Sequence, residues 1–279
     1  MVRFVTASGR AVPAVDAAGM REVDRVAVEE VGLELLQMME NAGRTLAASA
    51  RELAGGGRVV VLAGNGGNGG GGLCAARHLA NHGDEVRVVL DRTPDALTGA
   101  AAAQRRVLAE TAATVDHEGP VDDALAGADA VVDALVGYGL DGVLEGRAAY
   151  LVSAANRAGA RTLALDVPSG VDASTGERAG PAVVADRTVT LALPKTGLAD
   201  VGDLRLADIG IPPGVYERVG IAYDQPFDGR PTVRLSVLPD EGRGSDGAGG
   251  PPTDDADADA ADDAAGDGNG AREDDGADA

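Results

Sequence analysis

Five short, nearly continuous β-branched runs, separated by stretches of helical spacing, constrain this chain more than any other feature. They are Arg58–Ala63, Glu85–Leu90, Ala130–Leu135, Arg161–Asp166 and Arg187–Leu193. A run that is apolar at consecutive positions must be covered on both faces. Leu73–His82, Leu97–Glu110 and Ala148–Ala158 read as helices between the runs. Such alternation predicts the α/β class: a mostly parallel, doubly wound sheet with right-handed crossovers. Asp203–Leu206 is expected to add an edge strand. Arg218–Leu238 reads as a last strand and extended chain leading into the tail. Two helices should precede the sheet, one marked by Val15, Val23, Val26 and Ala27, the next by a Leu35, Met39, Ala42, Leu46, Leu53 stripe. Gly32 separates them, and Gly55–Gly57 ends the second.

Composition removes several classes. Apolar residues make up 44% of the 279 positions, ample for a core, but aromatics only 2%. A base-stacking platform lacks its side chains, and a net charge of −21 repels phosphate backbones, so no nucleic-acid partner is expected. No run approaches a membrane span, and Met1–Arg10 lacks the apolar stretch of a signal peptide. The single Cys74 excludes an internal disulfide or a multi-cysteine zinc cluster. A soluble, cytoplasmic protein is expected.

Charge is uneven along the chain. Residues 240–279 hold 14 acids and two arginines, a net −12, which leaves −9 for the rest. That segment has no large apolar residue and is expected to be a disordered acidic tail. The organisation expected is a folded domain over 1–222, an extended segment over 223–239, and the tail over 240–279. Lys195 is the single lysine. An acidic, lysine-poor surface suits a salt-rich cytoplasm, although a GC-rich genome gives the same arginine bias.

In doubly wound folds ligands bind beyond the carboxyl ends of the strands, and several chemically useful groups stand there. The first strand runs into Gly64–Gly72, in which seven of nine residues are glycine. Successive N–H groups of such a loop can point at one anion, helped by the dipole of a helix from about Leu73. Gly64-x-Gly66-x-x-Gly69 also matches the dinucleotide fingerprint, with Asp91 where a ribose-binding acid is placed. A hydride-transferring dehydrogenase is therefore an alternative. A merely flexible turn is the plain reading. Asp133 sits inside an apolar run, where a charge must be paired, protonated or bound to a cation. Gly137–Val143 forms a second glycine-punctuated loop. Asp166 ends a strand ahead of Val167-Pro168-Ser169-Gly170, well held for acid–base work, though an Asx-turn is equally local. Lys195 follows the last strong strand. His78, His82 and His117 read as solvated, and Cys74 as a small buried hydrophobe.

Taken together, five segments resemble the NAD(P)H-hydrate epimerase family, the YjeF N-terminal domain. They are Met39-Glu40-Asn41-Ala42-Gly43, the glycine loop with Cys74–Arg77, VVDALVGYGL over 131–140, LALDVPSGVDASTG over 163–176, and LALPKTG over 191–197. The resemblance implies a Rossmann-like three-layer α/β/α fold, often dimeric. It implies interconversion of the R and S forms of hydrated NADH and NADPH, which carry a hydroxyl on the carbon next to the ring nitrogen. A separate NAD(P)H-hydrate dehydratase would consume one epimer. It further implies one potassium ion per subunit, held by Asn68, Asp133 and Ser169, all oxygen donors as a hard cation requires. Gly67, Asn68, Gly69, Gly70 and Gly71 would line the nucleotide. So would Gly137, Tyr138, Gly139, Leu140, Asp141, Gly142 and Val143. Asp166 would reach the reacting ring as the catalytic acid–base group, with Lys195 placing charge. One departure stands out: the family usually carries an aspartate where this chain has Gly71. An inactive nucleotide-binding or scaffold module is the alternative that this departure favours.

Overall fold

The computed structural model describes residues 3–238. The expected acidic tail lies outside the described residues. In chain order the elements are β1 (Arg3–Thr6), β2 (Ala11–Val12), α1 (Ala17–Arg25), a π-helical turn (Val26–Glu30), α2 (Leu35–Ala54), β3 (Val59–Ala63), α3 (Gly66–Asn81), β4 (Val86–Leu90), α4 (Gly99–Leu108) and β5 (Thr114–Asp116). There follow α5 (Val121–Leu125), β6 (Ala130–Ala134), α6 (Gly146–Arg157), β7 (Arg161–Leu165), β8 (Arg187–Leu191), β9 (Asp203–Ala207), α7 (Pro213–Arg218) and β10 (Thr232–Leu238). They form one ten-stranded sheet in the order β2-β1-β10-β9-β8-β7-β6-β3-β4-β5. From β5 to β9 all neighbours are parallel; β10, β1 and β2 extend it antiparallel.

The five apolar runs become β3, β4, β6, β7 and β8 because both of their faces are buried. Val59, Val61 and Ala63 of β3 meet α2, α3 and α4 on one side. Val60 and Leu62 meet α5 and α6 on the other. Residues that alternate in direction but not in polarity thus hold a three-layer sandwich together. Strand order reverses between β3 and β6, and this switch point is where such sheets leave a crevice.

Four sequence expectations are corrected. The two helices do not precede the whole sheet, because β1 and β2 come before α1 in the chain and pair within it. Asp203–Leu206 is not an edge: β9 pairs with β10, and β1 and β2 lie beyond it. Thr232–Leu238 is the last strand that the sequence suggests, but it joins the main sheet, so the folded body does not end at residue 222. And the glycine run is no loop, because α3 starts at Gly66 rather than near Leu73. Among the described residues no helix is long and apolar enough to cross a membrane.

Candidate functional site

Glycines in a helix are weak helix formers, so a reason must exist for using them in the first two turns of α3. At Gly69, Gly70, Gly71 and Gly72 close packing is that reason. A Cβ on Gly69 would lie 1.8 Å from the Gly64 carbonyl oxygen, one on Gly70 2.7 Å from the Met39 side chain, and one on Gly72 2.4 Å from Ala134 Cβ. The helix lies directly on the ends of β3 and β6 because those side chains are missing. The Met39–Gly43 segment completes this clamp from α2. Glu40 bonds both Arg77 and His78 of α3, Asn41 Nδ2 donates to the Ile209 carbonyl at 3.2 Å, and a Cβ on Gly43 would lie 2.4 Å from Cys74 Sγ. His78 is therefore buried and bonded to Glu40, contrary to the solvated reading. Cys74 is buried too, and burial beside the Glu40 carboxylate pushes its thiol up to about 12.

β7 and β8 end alike. Val167 N–H donates to Leu165 O at 2.9 Å across Asp166 (φ 67°), and Leu193 N–H donates to Leu191 O at 2.7 Å across Ala192 (φ 62°). Each is a three-residue turn with a non-glycine residue in the left-handed region, a strained arrangement costing about 1–2 kcal/mol. Together they bring Asp166 and Lys195 into contact. The buried Lys195 ammonium pairs with Asp166 Oδ1 and donates to the Leu191 carbonyl at 2.9 Å. Leu191 N–H also donates to Oδ1 at 3.2 Å, and Tyr138 N–H to Oδ2 at 3.4 Å. The Lys195 ammonium lies 5.7 Å from the Tyr138 ring centre. A parallel bridge from Val15 to Lys195 ties the N-terminal segment to this corner.

Asp166 and Lys195 line a cavity of about 660 Å³ at the carboxyl ends of the strands, within the size range of organic-ligand sites. Gly66, Gly67, Asn68 and Gly71 of α3 form one wall. Gly137, Tyr138 and Gly139 form a second, and α1 with the π-helical turn a third. Of the expected nucleotide-lining residues, Gly69 and Gly70 do not face the cavity, for the packing reason given. Nor do Leu140, Asp141, Gly142 or Val143; Leu140 packs toward the α6 side, and Val143 lies against Gly180. Asp91 forms an ion pair with its neighbour Arg92 and is not part of the lining.

Beneath the cavity, Asp133 is fully buried. Its carboxylate accepts from Ser169 Oγ at 2.6 Å, Ser169 N–H at 2.8 Å and Leu135 N–H at 3.3 Å. No basic side chain among the described residues bonds to it, and burial pushes its carboxyl up to about 6 despite those donors. Asn68 Nδ2 donates to the Leu165 carbonyl at 3.2 Å, which turns Oδ1 toward Gly137. Ser169 bonds both Asp133 and Val136, and Asn68 Oδ1 lies near Gly137; among the described residues no hydrogen bond joins Asn68 to Asp133 or Ser169.

Sequence reasoning missed Asp24. It lines the cavity from α1, and its carboxylate accepts from the Tyr138 hydroxyl. A polar residue on the amphipathic α1 gave no signal, since solvent normally takes such positions.

An open, mostly parallel sheet with a ligand-sized cavity at its switch point, edged by a glycine-rich helix start and a buried Asp–Lys pair, defines a Rossmann-like α/β ligand-binding protein. The model of the YjeF-related protein N-terminus matches residues 35–197, and the chain belongs to that family. It is 48% identical to an NAD(P)H-hydrate epimerase of Dehalogenimonas lykanthroporepellens, over 85% of this chain and 98% of that one. A bifunctional NAD(P)H-hydrate repair enzyme of Moorella thermoacetica is 39% identical over 71% of this chain, which spans only 40% of that longer protein. The crystal structure of yeast ynu0 shares the fold, with a TM-score of 0.69 at 22% identity, over 80% of this chain and all of the yeast one.

Proposed function

We propose that this protein is an isomerase that interconverts the R and S forms of hydrated NADH and NADPH. The observation that carries the reading is the buried Asp166–Lys195 pair facing a nucleotide-sized cavity, in a chain nearly half identical to a named epimerase over 98% of that protein. Inversion requires the carbon–hydroxyl bond to break and reform. Asp166 serves as acid–base group toward the hydroxyl. Lys195 holds the Asp166 carboxylate in place and keeps positive charge beside it. Gly67, Asn68, Gly71, Gly137, Tyr138 and Gly139 are the nucleotide contacts that line the cavity.

The family's potassium ion suits the residues beneath the cavity. A fully buried carboxylate with no cationic side chain bonded to it has an unmet need for positive charge. Asp133, Ser169 and Asn68 offer the oxygens that a hard cation takes, one ion per subunit. Bound there, it would neutralise Asp133 and fix the loops that carry Tyr138 and Ser169. The reading further has the enzyme cytoplasmic and homodimeric, supplying one epimer to a separate dehydratase.

The test is direct. Protein purified in potassium chloride is given enriched R-hydrate, and conversion to S is followed by chromatography. Acceleration over the spontaneous rate is expected; a rate equal to the spontaneous one refutes the reading. Gly71 favours a second reading, a nucleotide-binding module without catalysis, because it lines the cavity where the family usually carries a carboxylate. Saturable binding of the hydrates without acceleration selects that module.

A further inference from the structure

Epimerisation sets a stereochemical requirement that one fixed carboxylate does not meet: the hydroxyl leaves one face of the ring and water returns to the other. Asp166 is fixed. Its backbone sits in a tight turn, and Lys195, Leu191 N–H and Tyr138 N–H hold its oxygens. Asp24 faces the same cavity from α1. Tyr138 spans the gap between the two, its main-chain N–H on Asp166 Oδ2 and its hydroxyl on Asp24 Oδ2. Both carboxylates therefore face one chamber, with Tyr138 bonded to Asp166 at its main chain and to Asp24 at its hydroxyl.

Resting on the epimerase reading, we propose that Asp24 is a second acid–base group, so that the cavity presents one carboxyl to each face of the reacting ring. The two environments differ as a proton donor and a proton acceptor should. Asp166 is paired with an ammonium. Asp24 is half-buried, and burial raises its carboxyl above the usual range more than the Tyr138 hydrogen bond and Lys195 lower it; Asp166 adds to the rise. Arg21 and Arg25 on the same helix and Tyr216 on α7 also stand near this pair.

In one direction, protonated Asp24 gives its proton to the departing hydroxyl. The C–O bond breaks, water leaves, and the ring nitrogen's lone pair forms a C=N bond that leaves the nitrogen positive. Water then adds to that carbon from the opposite face, the C=N pair returns to nitrogen, and the surplus proton of the water passes to Asp166. No atom is gained or lost overall. The two carboxyls re-equilibrate with solvent before the next turnover.

Asp24→Asn, Asp24→Glu and Tyr138→Phe are compared with the unaltered enzyme in both directions, from R and from S. Asp24→Asn is expected to lower kcat by about 100-fold or more in each direction, with KM little changed. Asp24→Glu should restore part of the rate. Tyr138→Phe removes the bond that favours ionised Asp24, so the limb of the pH–rate profile due to Asp24 should move to higher pH. This variant keeps the question open to test even if Asp24→Asn fails to fold. An unaltered enzyme that does not accelerate the reaction removes the parent reading. If it does accelerate it, an unchanged kcat in Asp24→Asn, a change confined to KM, or an unmoved limb in Tyr138→Phe overturns this inference alone.

Discussion

Replacing single glycines of α3 by alanine should give opposite results two residues apart. In a helix, alanine is worth up to about 1 kcal/mol over glycine. At Gly67 the new methyl meets no heavy atom within 4 Å, so the variant should be as stable as the parent or up to about 1 kcal/mol more stable. At Gly69 the methyl falls 1.8 Å from the Gly64 carbonyl oxygen and 2.4 Å from its carbon, far inside the roughly 3.5 Å of ordinary contact. Both obstacles are backbone, so no rotamer change relieves them, and α3 must lift off the end of β3. Overpacking costs about 1–3 kcal/mol, and backbone against backbone belongs at the upper end. After the helical gain of alanine, a net loss of about 2 kcal/mol remains for Gly69→Ala. The two variants should then differ by 2–3 kcal/mol, or on the order of 5–10 °C in melting temperature for a domain of this size. Urea titration of both, followed by circular dichroism, measures the gap. Equal midpoints would refute the claim that contact, rather than loop flexibility or anion binding, dictates these glycines.

Asp166→Asn should reduce epimerisation by at least about 100-fold while leaving the protein folded, as measured by chromatography of the hydrates and by circular dichroism. Lys195→Met strands a buried carboxylate, and unfolding titrations should show a loss of about 3–5 kcal/mol. Melting temperature should be higher in potassium chloride than in tetramethylammonium chloride of equal ionic strength, and Asp133→Asn should abolish the difference. Cys74 should resist maleimide at pH 8 in the native protein and react on unfolding. Its thiol ionises near pH 9 in the unfolded chain and near 12 in the folded one. The unfolded state thus binds fewer protons above pH 9, and stability should fall from there toward pH 12. Cys74→Ala should flatten that part of the fall.

The strands were legible because burial on both faces leaves an unmistakable record: β3 and β6 fall inside the runs read from the sequence. Intrinsic propensity argues for a loop over Gly64–Gly72, yet contact with Gly64, Met39 and Ala134 makes it helical from Gly66. β1, β2 and β5 were missed since strands of two to four residues carry too few positions to show a period. Asp133 and Ser169 stand 36 positions apart in the chain yet hydrogen-bond each other, a contact that no sequence spacing reports. The far half of the Gly137–Val143 loop turns away from the cavity, a direction that no spacing encodes.

Local chemistry along the chain settled the layers of this protein: which runs are apolar on both sides, where they stop, and which polar groups stand at their ends. Those are properties of neighbours in sequence, and periodicity reports them. The tertiary structure alone decided that Tyr138 links Asp24 to Asp166, and that Lys195 meets Asp166 rather than solvent. Such meetings depend on how strands from distant parts of the chain are ordered in the sheet and on two strained turns. That order is set by packing across the whole sheet, which no short stretch of residues contains.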